Sequence, residues 1–470
     1  MKKIIQFLAV VTLLAGSWGC KESFLELAPI SNPNADNFYK TKADFDLAAT
    51  AAYNTLYTIY HPQGAVSYTG ELMGDNVTIF NISGNQADKW QFRDYSLAPA
   101  NTMVYQFWQD FYKSLYNINI VLAKLETATL DADYKTKLQG EMLFLRSLYY
   151  YNMVQIWGDI PLVIKPLTAA ESFDILRSPA AEVNAQIVKD LIDAKSKLAA
   201  TPSIVGRATK GAVQTLLGKV YLAIGDKTNA AKEFKEVYDS KQYELLPAYA
   251  SLWDPKVKNT KESIFEIQFL GGSAINPFSA YHREFFPNSN ALGFYGSGMN
   301  QVVDDVWNEF EKDDIRKMAS IDTGFVDAKG VFTPARFPKK WMDKTAPLIN
   351  QDIAANNNFM VFRYADLLLL LTEATGDVSY LNEVRKRSNL PLYGGSGYPS
   401  KYGTVDLALE HERRVELAFE FHRWFDLKRT NRAVPVLTAK GKNVTEAKLV
   451  LPIPNIVRDQ NAKITQNQGY

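Results

Sequence analysis

Residue types that support catalysis are few in this sequence. Its histidines, His61, His282, His411 and His422, have neither the H-x-x-x-H nor the H-E-x-x-H spacing that puts two imidazoles on one helix face as metal ligands. Cys20 is the single cysteine, which excludes an internal disulfide and a thiolate metal cluster. The chain also lacks a G-x-S-x-G nucleophile elbow and a complete phosphate-binding loop. We therefore expect no metal, no cofactor and no enzyme activity.

Adjacent acids are the remaining candidates for catalysis. Asp304-Asp305 and Asp313-Asp314 could in principle supply the two carboxylates of a glycosidase. Neighbouring residues on a helix point about 100° apart, so their side chains do not face each other. We interpret Asp304, Asp305 and Asp313 as solvated helix charges.

The overall composition is that of a large and nearly neutral chain. Of its 470 residues 47% are hydrophobic, which is enough to bury a sizeable core. The 52 lysines and arginines almost balance the 51 aspartates and glutamates. This balance gives no support for nucleic-acid binding or for a basic membrane-binding patch.

The N-terminus has the pattern of a secretory signal. A charged start precedes the apolar run 4–15, and Gly19-Cys20 follows a short cleavage zone. The run is too short to span a membrane. We predict a signal peptide over residues 1–19 and lipidation of Cys20, whose acyl chains would anchor the mature protein. An ordinary cleaved signal peptide with an incidental cysteine is the alternative.

Helical periodicity dominates the mature chain, and one helix pair carries a recognisable repeat. Leu217-Gly218-x-x-Tyr221, followed by Ala230-x-x-x-Phe234, matches the tetratricopeptide pattern. The small residues would let the two helices approach, and the rings would fill the space between them. One repeat cannot bury its own face, so further helix pairs are expected beside it.

These patterns predict a mostly α protein with a tetratricopeptide-like helical-repeat scaffold. We expect one domain over residues 20–470, with helical repeats at roughly 41–240 and C-terminal helices at 360–470. Between them, 250–350 reads as an irregular, loop-rich region that would bind a ligand.

The stretch 407–430 is the most distinctive part of the chain, and its periodicity predicts one amphipathic helix. Its arginines lie among aromatic residues, where a guanidinium must be paired or stacked. His411 and His422 read as packed or ion-paired core residues. Three acids precede arginines by one turn: Glu410 before Arg413 and Arg414, Glu420 before Arg423, and Asp426 before Arg429.

The sequence E-R-R-V-E-L-A-F-E-F-H-R-W-F-D-L-K-R over 412–429 closely resembles the C-terminal signature of the SusD/RagB family, the nutrient-binding outer-membrane lipoproteins of Bacteroidetes. Residues 362–374 and the segment around Cys20 resemble the same family. The resemblance implies a lipid-anchored protein on the cell surface that captures oligosaccharide. It also implies a partner, a TonB-dependent SusC-like transporter, which would contact the helical repeats while the loops face the ligand.

Aromatic residues in irregular loops suit this function. Sugars present apolar faces that stack on rings, and hydroxyls that pair with polar side chains. By their placement in loops, six residues are the predicted ligand contacts: the rings of Trp90, Tyr281, Phe294 and Tyr295, with Asp75 and Asn76 as polar partners.

Two alternatives to glycan capture stay open at the level of sequence. The same architecture could bind peptides or glycoprotein fragments, or its repeats could only hold other surface proteins together.

Overall fold

The structure, a computed structural model, describes residues 38–79, 87–273 and 277–470. The predicted signal peptide and the predicted lipidation site, Cys20, lie outside these residues. Within the described ranges, no helix combines the length and the apolar composition that crossing a membrane requires. The fold is mostly α-helical, as predicted, with short antiparallel strand pairs.

The N-terminal half consists mainly of long helices that pack against their neighbours in sequence. They are α1 (Lys42–Ile59), α2 (Ala87–Asp94), α3 (Thr102–Thr127), α4 (Ala132–Trp157), α5 (Ala180–Lys197), α6 (Lys210–Ala223) and α7 (Lys227–Asp239). A π-helical turn, Tyr68–Leu72, follows α1.

Side-chain caps set the start of these helices. Thr41 accepts a hydrogen bond from the Asp44 backbone N–H (3.3 Å) while Asp44 accepts one from the Thr41 backbone N–H (2.7 Å), which is a capping box at the start of α1. Asn101 accepts hydrogen bonds from the first backbone N–H groups of α3 in the same way.

Helices α6 and α7 form the predicted tetratricopeptide-like pair. Phe234 on α7 is fully buried and lies directly over Gly218 on α6. A Cβ atom on Gly218 would overlap the Phe234 ring, so the close approach of the helices depends on glycine. The predicted roles of Gly218 and Phe234 are confirmed.

Within the part of the chain that the structure describes, short strands form four two-stranded antiparallel pairs, and all of them except Val77–Thr78 lie in the middle of the chain among loops and short helices. The strands are β1 (Val77–Thr78), β2 (Ser263–Ile267), β3 (Gln301–Val302), β4 (Ile321–Val326), β5 (Phe332–Pro338), β6 (Leu348–Ile349), β7 (Asp352–Ile353) and β8 (Phe359–Arg363), paired β1–β3, β2–β8, β4–β5 and β6–β7. The helices are α8 (Tyr281–Phe285), α9 (Asp304–Glu309) and α10 (Ile315–Ser320). Because β1 pairs with β3, the segment around Val77 lies beside the irregular region 250–350.

Helices return in the C-terminal part of the chain. They are α11 (Tyr364–Thr375), α12 (Ser379–Arg387), α13 (Val405–Glu416), α14 (Arg423–Arg429), α15 (Ala433–Ala439) and α16 (Asn455–Gln460). The prediction of one continuous helix over 407–430 is wrong, since α13 ends at Glu416 and α14 begins at Arg423.

A buried acid from the N-terminal half stabilises this break. Phe419 and Phe421 have positive φ angles (67° and 66°), which the helical period could not reveal. Their backbone N–H groups donate to the carboxylate of Glu71 at 3.3 and 3.1 Å. The neighbouring Gly70 lies against the Phe421 carbonyl, where any Cβ atom would overlap it. Tertiary contacts therefore override the local helical pattern.

Buried ion pairs fix α13 and the break to the middle of the chain. Arg363 on β8 is 1% exposed and binds Glu262 (3.0 Å), Glu416 (2.6 Å) and Glu420 (2.7 Å). Two more buried arginines bind the same helix: Arg316 reaches Glu412 and Glu416, and Arg385 reaches Glu412. These bonds connect segments that are distant in sequence.

The arginines of the signature are paired, as predicted, but mostly with distant partners. Arg413 does bind Asp426 within the signature (2.9 Å). Of the predicted one-turn pairs, Asp426 with Arg429 is present at 3.0 Å. Glu420 instead binds Arg363 and Lys340, because the break turns its side chain towards the middle of the chain.

Candidate ligand-binding surface

Two of the predicted stacking rings are in the core. Tyr281 is fully buried, stacks on Trp341 with 4.6 Å between ring centroids and donates its hydroxyl to the Tyr60 carbonyl. Phe294 is 3% exposed and packs against Phe286 (5.2 Å). The predicted exposure of Tyr281 and Phe294 is therefore wrong, because these loops fold over an aromatic cluster of their own.

The two predicted polar contacts are also internal. The Asp75 carboxylate is bound by Arg423 (2.6 Å) and Arg414 (3.2 Å), and these arginines outweigh burial and hold its pKa far below the usual range. Asn76 donates to Glu71 (3.0 Å) and accepts from Arg414 (2.9 Å). Both side chains bind arginines of the signature in the interior, so the prediction that they face a ligand is wrong.

Tyr295, in contrast, is 60% exposed. Backbone hydrogen bonds close its loop, from Gly296 N–H to the Ser289 carbonyl and from Gly298 N–H to the Phe286 carbonyl, each 2.9 Å long. The Tyr295 hydroxyl donates to the Asn288 side chain at 2.8 Å. The ring is thus presented to solvent by a loop with a defined shape.

Trp90 lies half-buried on α2 with one side packed against the core. The guanidinium of Arg93 lies 5.9 Å from its ring centroid. Asn101 donates to the Asp88 carbonyl (2.9 Å), which ties α2 to the start of α3. The exposed part of the indole is therefore held on a fixed helix.

Electrostatic interactions connect α2 with helix α8, which precedes the Tyr295 loop. Burial lowers the pKa of Lys89, the neighbour of Trp90, and the charges of Glu284 and Arg283 both act on it. Arg283 in turn accepts a backbone hydrogen bond from Ser297 N–H (3.0 Å), beside Tyr295. Arg283 therefore binds the Tyr295 loop through its backbone carbonyl, and its charge acts on Lys89 of α2.

Polar side chains border this region. The Arg283 guanidinium binds Asp352 at 3.1 Å, and both side chains are partly exposed. We call Trp90, Tyr295, Asn288, Arg283 and Asp352 the Trp90–Tyr295 surface. Sequence reasoning missed its three polar members, although Arg283 and Asn288 lie between Tyr281 and Phe294 in the sequence.

A cluster of potential metal ligands, Glu311, His411 and Glu412, has its ligand atoms engaged. His411 binds Glu309 (2.7 Å) and Glu311 (3.0 Å), as expected for an ion-paired core histidine. Burial alone would lower the pKa of His411, but these carboxylates raise it above its ordinary value. The carboxylate of Glu412 binds two arginines, Arg316 and Arg385. The cluster is a set of internal ion pairs rather than a site open to a cation.

Two family models match this chain. One, described as starch-binding and associating with the outer membrane (SusD-like), matches residues 23–222, and the other, described as the SusD family, matches residues 329–470. The chain belongs to the SusD/RagB family. The signature over 412–429 lies within the second match, whereas Tyr295 and Arg283 lie between the two matched ranges.

Relatives in this family cover nearly the whole chain. SusD-like protein P2 of Formosa agariphila is 27% identical over 98% of both chains, and a SusD-like protein of Bacteroides ovatus is 24% identical over 93% of this chain and 84% of its own. A solved laminarin-binding SusD-like protein superposes with a TM-score of 0.82 at 27% identity, over 92% of this chain and all of the other. Surface glycan-binding protein A of Bacteroides thetaiotaomicron, in complex with laminarihexaose, has the same SusD fold, with a TM-score of 0.77 at 23% identity over 91% of this chain and all of its own.

Proposed function

We propose that this SusD/RagB protein is a cell-surface lipoprotein that binds oligosaccharide at the Trp90–Tyr295 surface. The observation that carries the proposal is the exposed ring of Tyr295, held on a closed loop that donates a backbone hydrogen bond to Arg283, whose charge acts on Lys89 beside Trp90. Rings bind the apolar faces of sugars, and the amide and charged groups around them pair with hydroxyls. The similarity to a laminarin-binding protein over nearly the whole chain supports this ligand class.

The proposal also includes how the protein is anchored to the membrane and where it delivers the bound sugar. Lipidation of Cys20 would hold the protein on the outer membrane, and the bound sugar would pass to a TonB-dependent SusC-like transporter without any bond being broken. Labelling cells with a radioactive fatty acid should mark the wild-type protein and leave Cys20→Ala unlabelled. A tagged protein purified from the outer membrane should carry one TonB-dependent barrel in near-equal amount.

Affinity electrophoresis tests the binding surface. The protein expressed without residues 1–20 is run through gels that contain a panel of neutral polysaccharides, and we expect retardation by at least one. Tyr295→Ala should weaken binding about two- to tenfold, because that change in affinity corresponds to the free energy of one ring contact. Tyr295→Phe, which keeps the ring, should retain most of the affinity.

Phe173→Ala is the matched control, because Phe173 is another exposed ring (57%) outside this surface. Retardation that survives Tyr295→Ala and Trp90→Ala would refute the proposed location. Binding of peptides with no retardation by any glycan would favour the alternative cargo. Turnover of a retained polysaccharide would refute the non-enzymatic role.

A further inference from the structure

A second aromatic cleft lies between α3 and α16, away from the residues of the Trp90–Tyr295 surface. It has an open volume of about 420 Å³, within the range of about 300 to 1,000 Å³ typical of small-molecule sites. We call it the α3 groove. Its lining residues are Tyr105, Trp108, Gln109, Tyr112, Lys113, Tyr116, Asn117, Val457 and Gln460.

Four rings follow one another along the groove. Tyr105, Trp108, Tyr112 and Tyr116 are spaced by three, four and four residues, which places them on one face of α3 at intervals of about one helical turn, about 5.4 Å. In this ladder Trp108 is only 6% exposed, whereas Tyr105 and Tyr112 are partly buried. Tyr116, at the far end, is 51% exposed, so one ring is open to a ligand.

The ladder is held in place by contacts outside it. The Tyr112 hydroxyl donates to the Pro161 carbonyl at 2.9 Å. Trp108 lies 5.0 Å from Tyr112 and edge-on to the buried Trp157 at 5.3 Å, measured between ring centroids. Fixed rings bind with little loss of side-chain entropy, so this face is pre-organised for stacking.

The polar groups around the rings select the class of ligand. Three side-chain amides, Gln109, Asn117 and Gln460, line the groove together with Lys113, and its lining contains no carboxylate. Gln109 donates to the Tyr105 hydroxyl at 2.6 Å, which leaves its carbonyl oxygen as an acceptor. Amides that both donate and accept beside a partly exposed ring suit a neutral ligand rich in hydroxyl groups.

We infer that the α3 groove is a second carbohydrate-binding site, which takes a short linear stretch of a neutral oligosaccharide. The inference rests on the proposed function only for the class of ligand, because the groove shares no residue with the Trp90–Tyr295 surface. Two separate sites would let one protein hold a long glycan at two points and so raise its avidity.

Isothermal titration with neutral hexasaccharides, including laminarihexaose, cellohexaose, xylohexaose and maltohexaose, tests this inference. The wild-type protein should bind one of them at two sites per chain. Tyr116→Ala should weaken one site about two- to tenfold, whereas Tyr116→Phe should not. Tyr295→Ala should weaken binding only at the other site. The double variant, Tyr116→Ala with Tyr295→Ala, should weaken binding at both sites.

These variants distinguish a failure of the proposed α3 groove from a failure of the proposed Trp90–Tyr295 surface. If Tyr116→Ala and Tyr105→Ala leave binding unchanged while Tyr295→Ala weakens it, the second site is refuted and the groove is left as a surface for a protein partner. If Tyr116→Ala weakens binding and Tyr295→Ala does not, the groove is supported and the proposed primary surface is refuted. Melting temperatures equal to wild type exclude misfolding, since Tyr116 is half exposed.

Discussion

Replacing Glu71 by glutamine should change how the stability of the protein depends on pH. Burial raises the pKa of Glu71 from 4.5 to about 7, against the hydrogen bonds from Asn76, Phe421 and Phe419 that lower it. The folded state therefore holds this proton more tightly than the unfolded chain does. The contribution of the protonated Glu71 carboxyl to the free energy of unfolding is fully present below about pH 4.5, and it is lost as the pH rises through about 7.

The size of the effect follows from the two pKa values. Between pH 5 and pH 8 the ionisation of Glu71 should cost the folded state about 2.5 kcal/mol. Glu71→Gln cannot ionise, and its side-chain carbonyl can still accept one of the two backbone N–H groups at the break. Relative to wild type, the variant should therefore gain about 2.5 kcal/mol over that pH range.

Denaturant unfolding of both proteins at pH 5 and pH 8, followed by circular dichroism, measures this difference. Glu182→Gln, an exposed change on α5, is the matched control and should follow wild type at both pH values. Glu71→Ala should be less stable than wild type at pH 5, since it leaves buried N–H groups without an acceptor, at about 1 to 3 kcal/mol each. A difference between Glu71→Gln and wild type that does not vary with pH would refute the role assigned to this carboxyl.

Three further variants test the packing. Gly70→Ala should lower the free energy of unfolding by about 3 kcal/mol or more in denaturant titrations. Its Cβ would overlap the Phe421 carbonyl, which is backbone and cannot rotate away. A variant as stable as wild type would contradict the described break between α13 and α14. Gly218→Ala should cost about 1 to 3 kcal/mol in the same assay, since the overlapping Phe234 ring can shift. Arg363→Ala should cost about 3 to 5 kcal/mol by leaving three buried glutamates partly unpaired, and a loss below about 1 kcal/mol would show that these ion pairs are dispensable.

The long helices of the N-terminal half could be predicted because their signals are local. Periodicity and a capping residue such as Thr41 act within one or two turns, and the Gly218 and Phe234 spacing belongs to a short repeat. The break after Glu416 could not be predicted in this way, because Glu71 causes it from the other end of the chain. Helical period carries no information about such a partner.

The candidate site was harder to predict for a related reason. Loop placement alone did not separate Tyr295, which is exposed, from Phe294 beside it, which is buried. Its position in an irregular segment predicts that Asp75 contacts a ligand, yet two arginines of the signature enclose it. Which loop side chains face outward depends on long-range pairing such as β1 with β3.

The bond between Asp75 and Arg423 joins residues 348 positions apart, and both side chains are almost completely buried. During synthesis the acid leaves the ribosome long before its counter-charge exists. The nascent chain therefore cannot finish its interior until the last tenth of the sequence has been made. A copy that stops short of Arg414 lacks both arginines that bind Asp75 and keeps an unmatched carboxylate at its centre, which makes it a ready substrate for quality-control proteases.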